Sequence, residues 1–233
     1  MKLRLASYNV HKCVGLDRRR KPHRIIDVIN EVDADIVALQ EVDLRLGSRP
    51  AALPLPLVEH ETGYHVPDFA PESPSLGWHG QAILLRQGIE VTEIRRILLP
   101  GLEPRGALMA ELACDGLRFR IIGAHLGLLR RYRLMQMAAI RAAVSARAVM
   151  PTAILGDFNE WSSRYGMTPL TDDFRVHAPG RSFPAARPIG RLDRIGLSEG
   201  WHLKQAGVHA STLARIASDH LPVWADVTLS LDG

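Results

Sequence analysis

Asp157 and Asn159 stand two residues apart in the stretch Leu155-Gly156-Asp157-Phe158-Asn159-Glu160-Trp161. A carboxylate and a carboxamide delivered to one side of the chain can hold a water, a metal-bound hydroxide or a phosphate oxygen. The apolar run Thr152-Ala153-Ile154-Leu155, introduced by Pro151, reads as a buried strand ending at this pair. In a strand-like continuation Asp157 and Asn159 face one way and Phe158 the other. A turn would use the same residue types. Other runs also end in groups that bind metals or move protons: Asn9, Glu41, His125 and the pair Asp219-His220. Asp193 interrupts an otherwise apolar segment, and a buried carboxylate costs several kcal/mol without a partner; His220 is the candidate.

Together these residues suggest hydrolysis of a phosphate ester. A divalent cation with hard oxygen ligands would sit on Glu41, with Asp219 and the amide of Asn9 assisting directly or through water. His220, oriented by Asp193, would act as base or as donor to a phosphate oxygen. Asp157 and Asn159 would position the attacking water, and His125 would donate to the phosphate or the leaving group. Each has a plainer reading: a core histidine at 125, a turn cap at Asp219, an ion pair at Glu41, a turn at Asn9. No H-E-x-x-H spacing favours zinc hydrolysis.

The elements that must position them are mixed. Leu3 to Val10 reads as a first strand, residues 22 to 33 as an amphipathic helix with Pro22 near its start, and Asp35 to Glu41 as a second buried strand. Six prolines between Arg45 and Ser75 indicate loops, with one short helix near Leu57 to Thr62. Strand-like runs follow at Ala82–Leu85, Val91–Leu98, Ala107–Leu112 and Phe119–His125, and Asp115-Gly116 suits a hairpin, so this half reads as antiparallel. Arg130 to Val149, without Gly or Pro, predicts a long helix. After the Asp157 motif come loops to Ala186, then strands near Leu192–Leu197, Leu203–His209 and Val223–Leu229.

The 233 residues are 46% hydrophobic, enough for a sizeable core, and no composition break divides them, so a single domain over residues 1–233 is expected. A net charge of +4 permits an anionic substrate without showing one. No signal-peptide pattern opens the chain, and no segment approaches the ~18 uninterrupted apolar residues of a spanning helix. Cys13 and Cys114 form no disulfide or zinc pattern, which leaves a reducing cytoplasm as the default.

Six short pieces, in order along nearly the whole chain, resemble the endonuclease/exonuclease/phosphatase superfamily. They are Ser7-Tyr8-Asn9-Val10-His11, Leu39-Gln40-Glu41-Val42, Gly123-Ala124-His125-Leu126, Gly156-Asp157-Phe158-Asn159, Arg191-Leu192-Asp193-Arg194-Ile195 and Ser218-Asp219-His220-Leu221-Pro222-Val223. The resemblance implies an α+β fold, a four-layer αββα sandwich of two mainly antiparallel sheets with helices outside and the site at one end. It further implies Mg²⁺, replaceable by Mn²⁺, with Glu41 as principal metal ligand and Asp193 paired with His220. Whether Asp157 or His220 activates the water stays open. His125-Leu126 followed by Arg133-Leu134-Met135-Gln136, together with Pro104-Arg105-Gly106-Ala107-Leu108 and Ser182-Phe183-Pro184-Ala185, is similar to small bacterial members nearer the sphingomyelinase-like and phosphodiesterase branch. Leu85 stands where many members carry Ser.

The expected partner is thus a small or lipid-derived phosphate ester acted on by a monomer. A nuclease is the second enzymatic reading, although no long basic stripe interleaved with aromatics occurs. A binding module that kept the fold is the third, opposed by the number of polar groups it would have to bury.

Overall fold

The computed structural model describes residues 1–44, 47–162 and 165–230; the loop expectation at 45–46 and 163–164 lies outside the described residues. β1 (Lys2–Asn9) and β2 (Ile36–Gln40) are parallel neighbours, with Asn9 opposite Gln40. Parallel strands need a crossover, and α1 (Pro22–Val32) supplies it. Pro22 lies in its first turn, where a missing N–H costs nothing, and Asp33 ends it in the left-handed region at φ 47°. Next come α2 (Leu55–Glu61), β3 (Tyr64–His65), β4 (Gln81–Arg86), β5 (Glu90–Leu99) and β6 (Arg105–Cys114). β7 (Leu117–His125) and β8 (Thr152–Asp157) form a second parallel pair, with His125 opposite Asp157 and α3 (Arg130–Ser145) as crossover. β9 (Arg175–His177), β10 (Asp193–Leu197), β11 (Trp201–Val208), α4 (Ala214–Ala217) and β12 (Val223–Leu229) follow.

Two six-stranded sheets result, in the orders β11-β12-β1-β2-β4-β3 and β5-β6-β7-β8-β10-β9. Among the described residues only β1–β2 and β7–β8 pair in parallel. Alternation along the strands divides the core into three. Leu5, Ile36, Ile83, Leu108, Ile121, Leu155, Ile195 and Val223 fill the space between the sheets. Tyr8, Val37 and Leu39 face Ile25, Ile26 and Ile29 of α1, while Met109, Ile122 and Ile154 face Met137 and Ile140 of α3. This is the four-layer α+β sandwich. Each aliphatic side chain so buried contributes roughly 1.5–3 kcal/mol, and strands covered on both faces read as unbroken apolar runs.

The helix expected over residues 130–149 stops at Ser145. The fully buried Arg120 pairs with Glu111 at 2.8 Å and donates to the Ala148 carbonyl at 3.1 Å, which draws the segment after Ser145 toward the sheet. β3, β9 and α4, at two to four residues, are too short to leave a period in the sequence. Among the described residues no helix is long and apolar enough to cross a membrane.

The two parallel strands that carry His125 and Asp157 are held together at Gly156. A Cβ there would lie 1.8 Å from the Ala124 carbonyl oxygen, whereas one at Gly123 meets only Ile83 and Ala38 side chains at 3.5–3.6 Å. Gly156→Ala is therefore expected to lose at least about 2–3 kcal/mol in urea unfolding and Gly123→Ala much less. Equal losses would contradict this account of the strand contact.

Candidate active site

β8 ends by placing Asp157 almost wholly out of water, at 1% exposure, between the ends of both sheets. Its Oδ2 accepts from Asn9 Nδ2 at 3.2 Å and lies 3.5 Å from His125 Nε2 and 3.6 Å from His220 Nε2. Asn9 belongs to one sheet and His125 to the other, while His220 leads into β12. Burial raises the Asp157 pKa to about 6, against the lowering effect of the His220 charge.

The strand does not continue past Asp157. Asn159 takes a left-handed backbone, φ 52°, and its N–H donates to Asp157 Oδ1 at 2.9 Å. A turn, not strand alternation, places the amide. Asn159 Nδ2 donates to the Leu126 carbonyl at 2.9 Å, which ties the turn to the segment after His125.

His220 has the partner that the burial of Asp193 demanded: Nδ1 donates to Asp193 Oδ2 at 2.9 Å, and the same oxygen accepts from the Ser182 hydroxyl. The Phe183 ring packs on the imidazole at 4.8 Å. Burial pulls the His220 pKa down, but Asp193 and Asp157 outweigh it and carry it up to about 10. At neutral pH the ring is an imidazolium aimed at Asp157.

Glu41 follows β2 with φ 57°, and its carboxylate meets the Lys12 ammonium in an ion pair. The Lys12 N–H also donates to the Glu41 carbonyl at 2.9 Å. Asp219 lies near, with Oδ1 3.9 Å from His11 Nδ1, and the adjoining Ser218 hydroxyl donates to the Asn9 carbonyl at 2.7 Å. Asn9, Glu41 and Asp219 therefore share one end of the first sheet. Asp157, Asp193 and His220 offer ligand atoms within 4.8 Å of one another. That set suits a cation poorly, because His220 Nδ1 already donates to Asp193; the oxygen donors around Glu41 suit a hard cation better where the Lys12 ammonium gives way to it.

His125 is fixed from behind. Arg105 can only donate, so its 2.8 Å contact with His125 Nδ1 makes that atom the acceptor and puts the ring proton on Nε2, toward Asp157. Glu103 clamps Arg105 through Nε and Nη2. A cavity of about 110 Å³ opens beside Glu41 and His125, lined also by Asp43, Arg49, His79, Gly80 and Arg105. On its far wall Arg49 repeats the pattern: Asp43 grips its Nε and Nη2 at 3.0 and 3.3 Å, and Nη1 contacts His79 Nδ1 at 3.2 Å. Burial and the Arg49 charge lower the His79 pKa.

All eight sequence-derived candidates thus lie at one end of the sandwich. The sequence assigns no role to Lys12, Arg49, His79, Arg105 or Ser182; the only signal for Arg105 and Ser182 is their place in the Pro104-Arg105-Gly106 and Ser182-Phe183-Pro184 motifs. The Arg133/Gln136 spacing has a different outcome. Gln136 binds the Gly127 N–H at 2.8 Å and the Pro100 carbonyl at 2.9 Å, and Arg133 joins the Leu128 carbonyl at 2.6 Å to Glu160 at 2.8 Å. The pair braces the loops after His125 and Asn159. Leu85 is buried between the sheets opposite Ile36, at the other end of β4 from Gln81 and Gln40.

The chain is 31% identical over 257 aligned positions to the uncharacterized protein YbhP of Escherichia coli K12, covering 97% of this chain and 96% of that protein. Its fold is similar to an endonuclease/exonuclease/phosphatase from Bacteroides vulgatus (TM-score 0.79, 18% identity, 99% of this chain and 100% of that one). It is also similar to a mannosyl-6-phosphatase from Bacteroides thetaiotaomicron (0.77, 19%, 97% and 100%) and to the human Nocturnin catalytic domain (0.75, 21%, 98% and 95%). Residues 6–220 match the Endonuclease/Exonuclease/phosphatase family, and the chain belongs to that family, whose members are phosphate-ester hydrolases typically dependent on a divalent metal.

Proposed function

We propose that the protein is a Mg²⁺-dependent phosphoesterase that cleaves a small or lipid-derived phosphate ester by in-line attack of water. What carries the reading is the convergence on Asp157 of Asn9, His125 and His220 from separate segments, with Asp193 behind the imidazolium. Asp157, raised toward neutrality yet ionised above about pH 6, accepts the proton of the attacking water. The charged His220 donates to a non-bridging phosphate oxygen, a role in which Asp193 keeps it protonated. Asn9 and Asn159 hold Asp157 and the turn beside it, and His125, with its proton on Nε2, donates to the ester or leaving oxygen. Glu41, Asn9 and Asp219 would hold the cation, which when bound supplies Lewis-acid stabilisation of the phosphoryl charge. The cavity of about 110 Å³ beside Glu41 and His125 leaves room for a compact phosphate group next to the cluster.

With Mg²⁺ present, glycerophosphodiesters, sphingomyelin and inositol phosphates are expected to be hydrolysed faster than plasmid or abasic DNA; the reverse order would make the protein a nuclease. In calorimetric titration Glu41→Gln should weaken Mg²⁺ binding at least about tenfold, the effect of ~1.4 kcal/mol. Lys12→Met should tighten it, because an ammonium no longer competes for the carboxylate. Parent-like binding by the Glu41 variant would remove Glu41 from the site.

The pH profile of kcat/KM tests the assignment of base and donor. Asp157 must be ionised, so activity falls below about pH 6; His220 must be charged, so it falls above about pH 10. Asp193 is a leading cause of the raised His220 pKa, and Asp193→Asn is expected to move the alkaline limb to lower pH. An alkaline limb that stays in place in this variant would assign it to another group.

A further inference from the structure

Exposed apolar side chains gather at the site end of the second sheet. Of the thirteen large hydrophobic residues exposed among the described residues, seven stand on four neighbouring segments: Leu98 and Leu102, Leu128 and Leu129, Trp161 and Tyr165, and Ile189. Leu98 and Leu102 are 75% and 78% exposed, Trp161 59% and Tyr165 68%, so these are protruding side chains and not the edges of packed ones. Scattered exposed hydrophobics are ordinary on soluble proteins, whereas a concentration beside a site marks an interaction surface.

The four segments form one continuous rim. The Leu128 N–H reaches Glu103 Oε1 at 3.3 Å, joining the β5–β6 connection to the loop after β7. Arg133 links that loop to Glu160, next to Trp161. The Trp161 ring contacts Phe183 at 6.1 Å, and Gly190 lies under it, so close that a Cβ there would come within 3.0 Å of the indole. Phe183 in turn packs on His220. The rim therefore borders the carboxylate–imidazole cluster directly.

Arginines are interspersed on the same segments. Arg130, Arg131, Arg181, Arg187 and Arg191 are all exposed; the nearby Glu160 is buried in its pair with Arg133 and lies 3.6 Å from Arg130 Nε, which leaves the other four to face the solvent. An exposed Trp, Tyr and several Leu or Ile side chains flanked by arginines match what an anionic bilayer offers: acyl chains for the aliphatic tips, the headgroup region for the indole and phenol, and lipid phosphates for the guanidinium groups. Single-stranded nucleic acid would also attract the arginines, but it needs aromatic platforms for base stacking. Five of the seven protruding residues are aliphatic.

We infer that this rim is a membrane-docking face that seats the active-site mouth on an anionic lipid surface without spanning it. The interaction goes beyond the proposed hydrolysis and does not need turnover, so each can fail without the other.

Sedimentation with vesicles tests it. The full chain is expected to pellet with phosphatidylcholine vesicles containing phosphatidylglycerol and much less with pure phosphatidylcholine. Leu102→Ser, Leu129→Ser and Trp161→Ser combined should weaken vesicle binding at least tenfold while the melting curve by circular dichroism stays that of the parent. Trp161→Phe should remove most of the blue shift in tryptophan emission on vesicle addition. Failure to bind vesicles, binding unaffected by the triple substitution, tighter binding to a labelled DNA oligonucleotide than to anionic vesicles, or a vesicle-free dimer abolished by the same substitutions would each overturn the inference.

Discussion

A carboxylate held out of water between two sheets is the constraint to which this end of the molecule is fitted. Burying Asp157 is unfavourable unless donors surround it, and neither sheet alone supplies them. Asn9 comes from the first, His125 from the second, and His220 from the turn that leads back into the first. Asp193 then becomes necessary in its own right. Without it the imidazole would lose the partner that keeps it charged, and two buried groups would change state together.

The geometry follows from chain direction. Both parallel pairs leave their carboxyl ends on the same side, so β1–α1–β2 delivers Asn9 and Glu41 while β7–α3–β8 delivers His125 and Asp157. The antiparallel strands contribute from their starting ends: β10 begins at Asp193, opposite Asp157, and β12 is preceded by Asp219 and His220. Face-to-face packing of the two inner surfaces brings the four contributions together. A polar centre is thus supported by an apolar floor, and Leu155 and Ile195 of that floor follow the same strands inward from the site.

What the sequence shows plainly is what interrupts a pattern. Glu41, His125 and Asp157 terminate apolar runs, and Asp193 breaks into one, so their burial and therefore their need for partners was legible. Lys12, Arg49 and His79 sit in loops whose shape comes from backbone conformations that no periodicity announces. Arg105 opens a strand and reads as an ordinary surface arginine until His125 is known to lie beside it. The Arg133/Gln136 spacing was legible as a helical pair but not as to its target, because that target is backbone: the Gly127 N–H and the Leu128 and Pro100 carbonyls. The four-layer arrangement came from the family resemblance, since strands buried on both faces do not reveal which layer covers which side.

Backbone strain has the same address as the chemistry. Of the ten non-glycine residues with positive φ among those described, His11, Lys12, Cys13, Glu41, Arg49, His79 and Asn159 all border the site or its cavity or lie in the loop that carries Lys12. Left-handed conformations cost non-glycine residues of order 1 kcal/mol or more each and persist only where the surroundings over-determine them. Here the surroundings are the Lys12–Glu41 backbone hydrogen bond, the Asn159–Asp157 turn and the Asp43 clamp on Arg49. Three successive residues in that region turn the loop after β1 back over β2, which is how an ammonium from position 12 reaches a carboxylate at position 41. A chain selected for stability alone would place glycine or asparagine at such positions, as it does at Asn159. Lys12, Glu41 and Arg49 instead put charge-bearing side chains there, because position and functional group are needed at the same point.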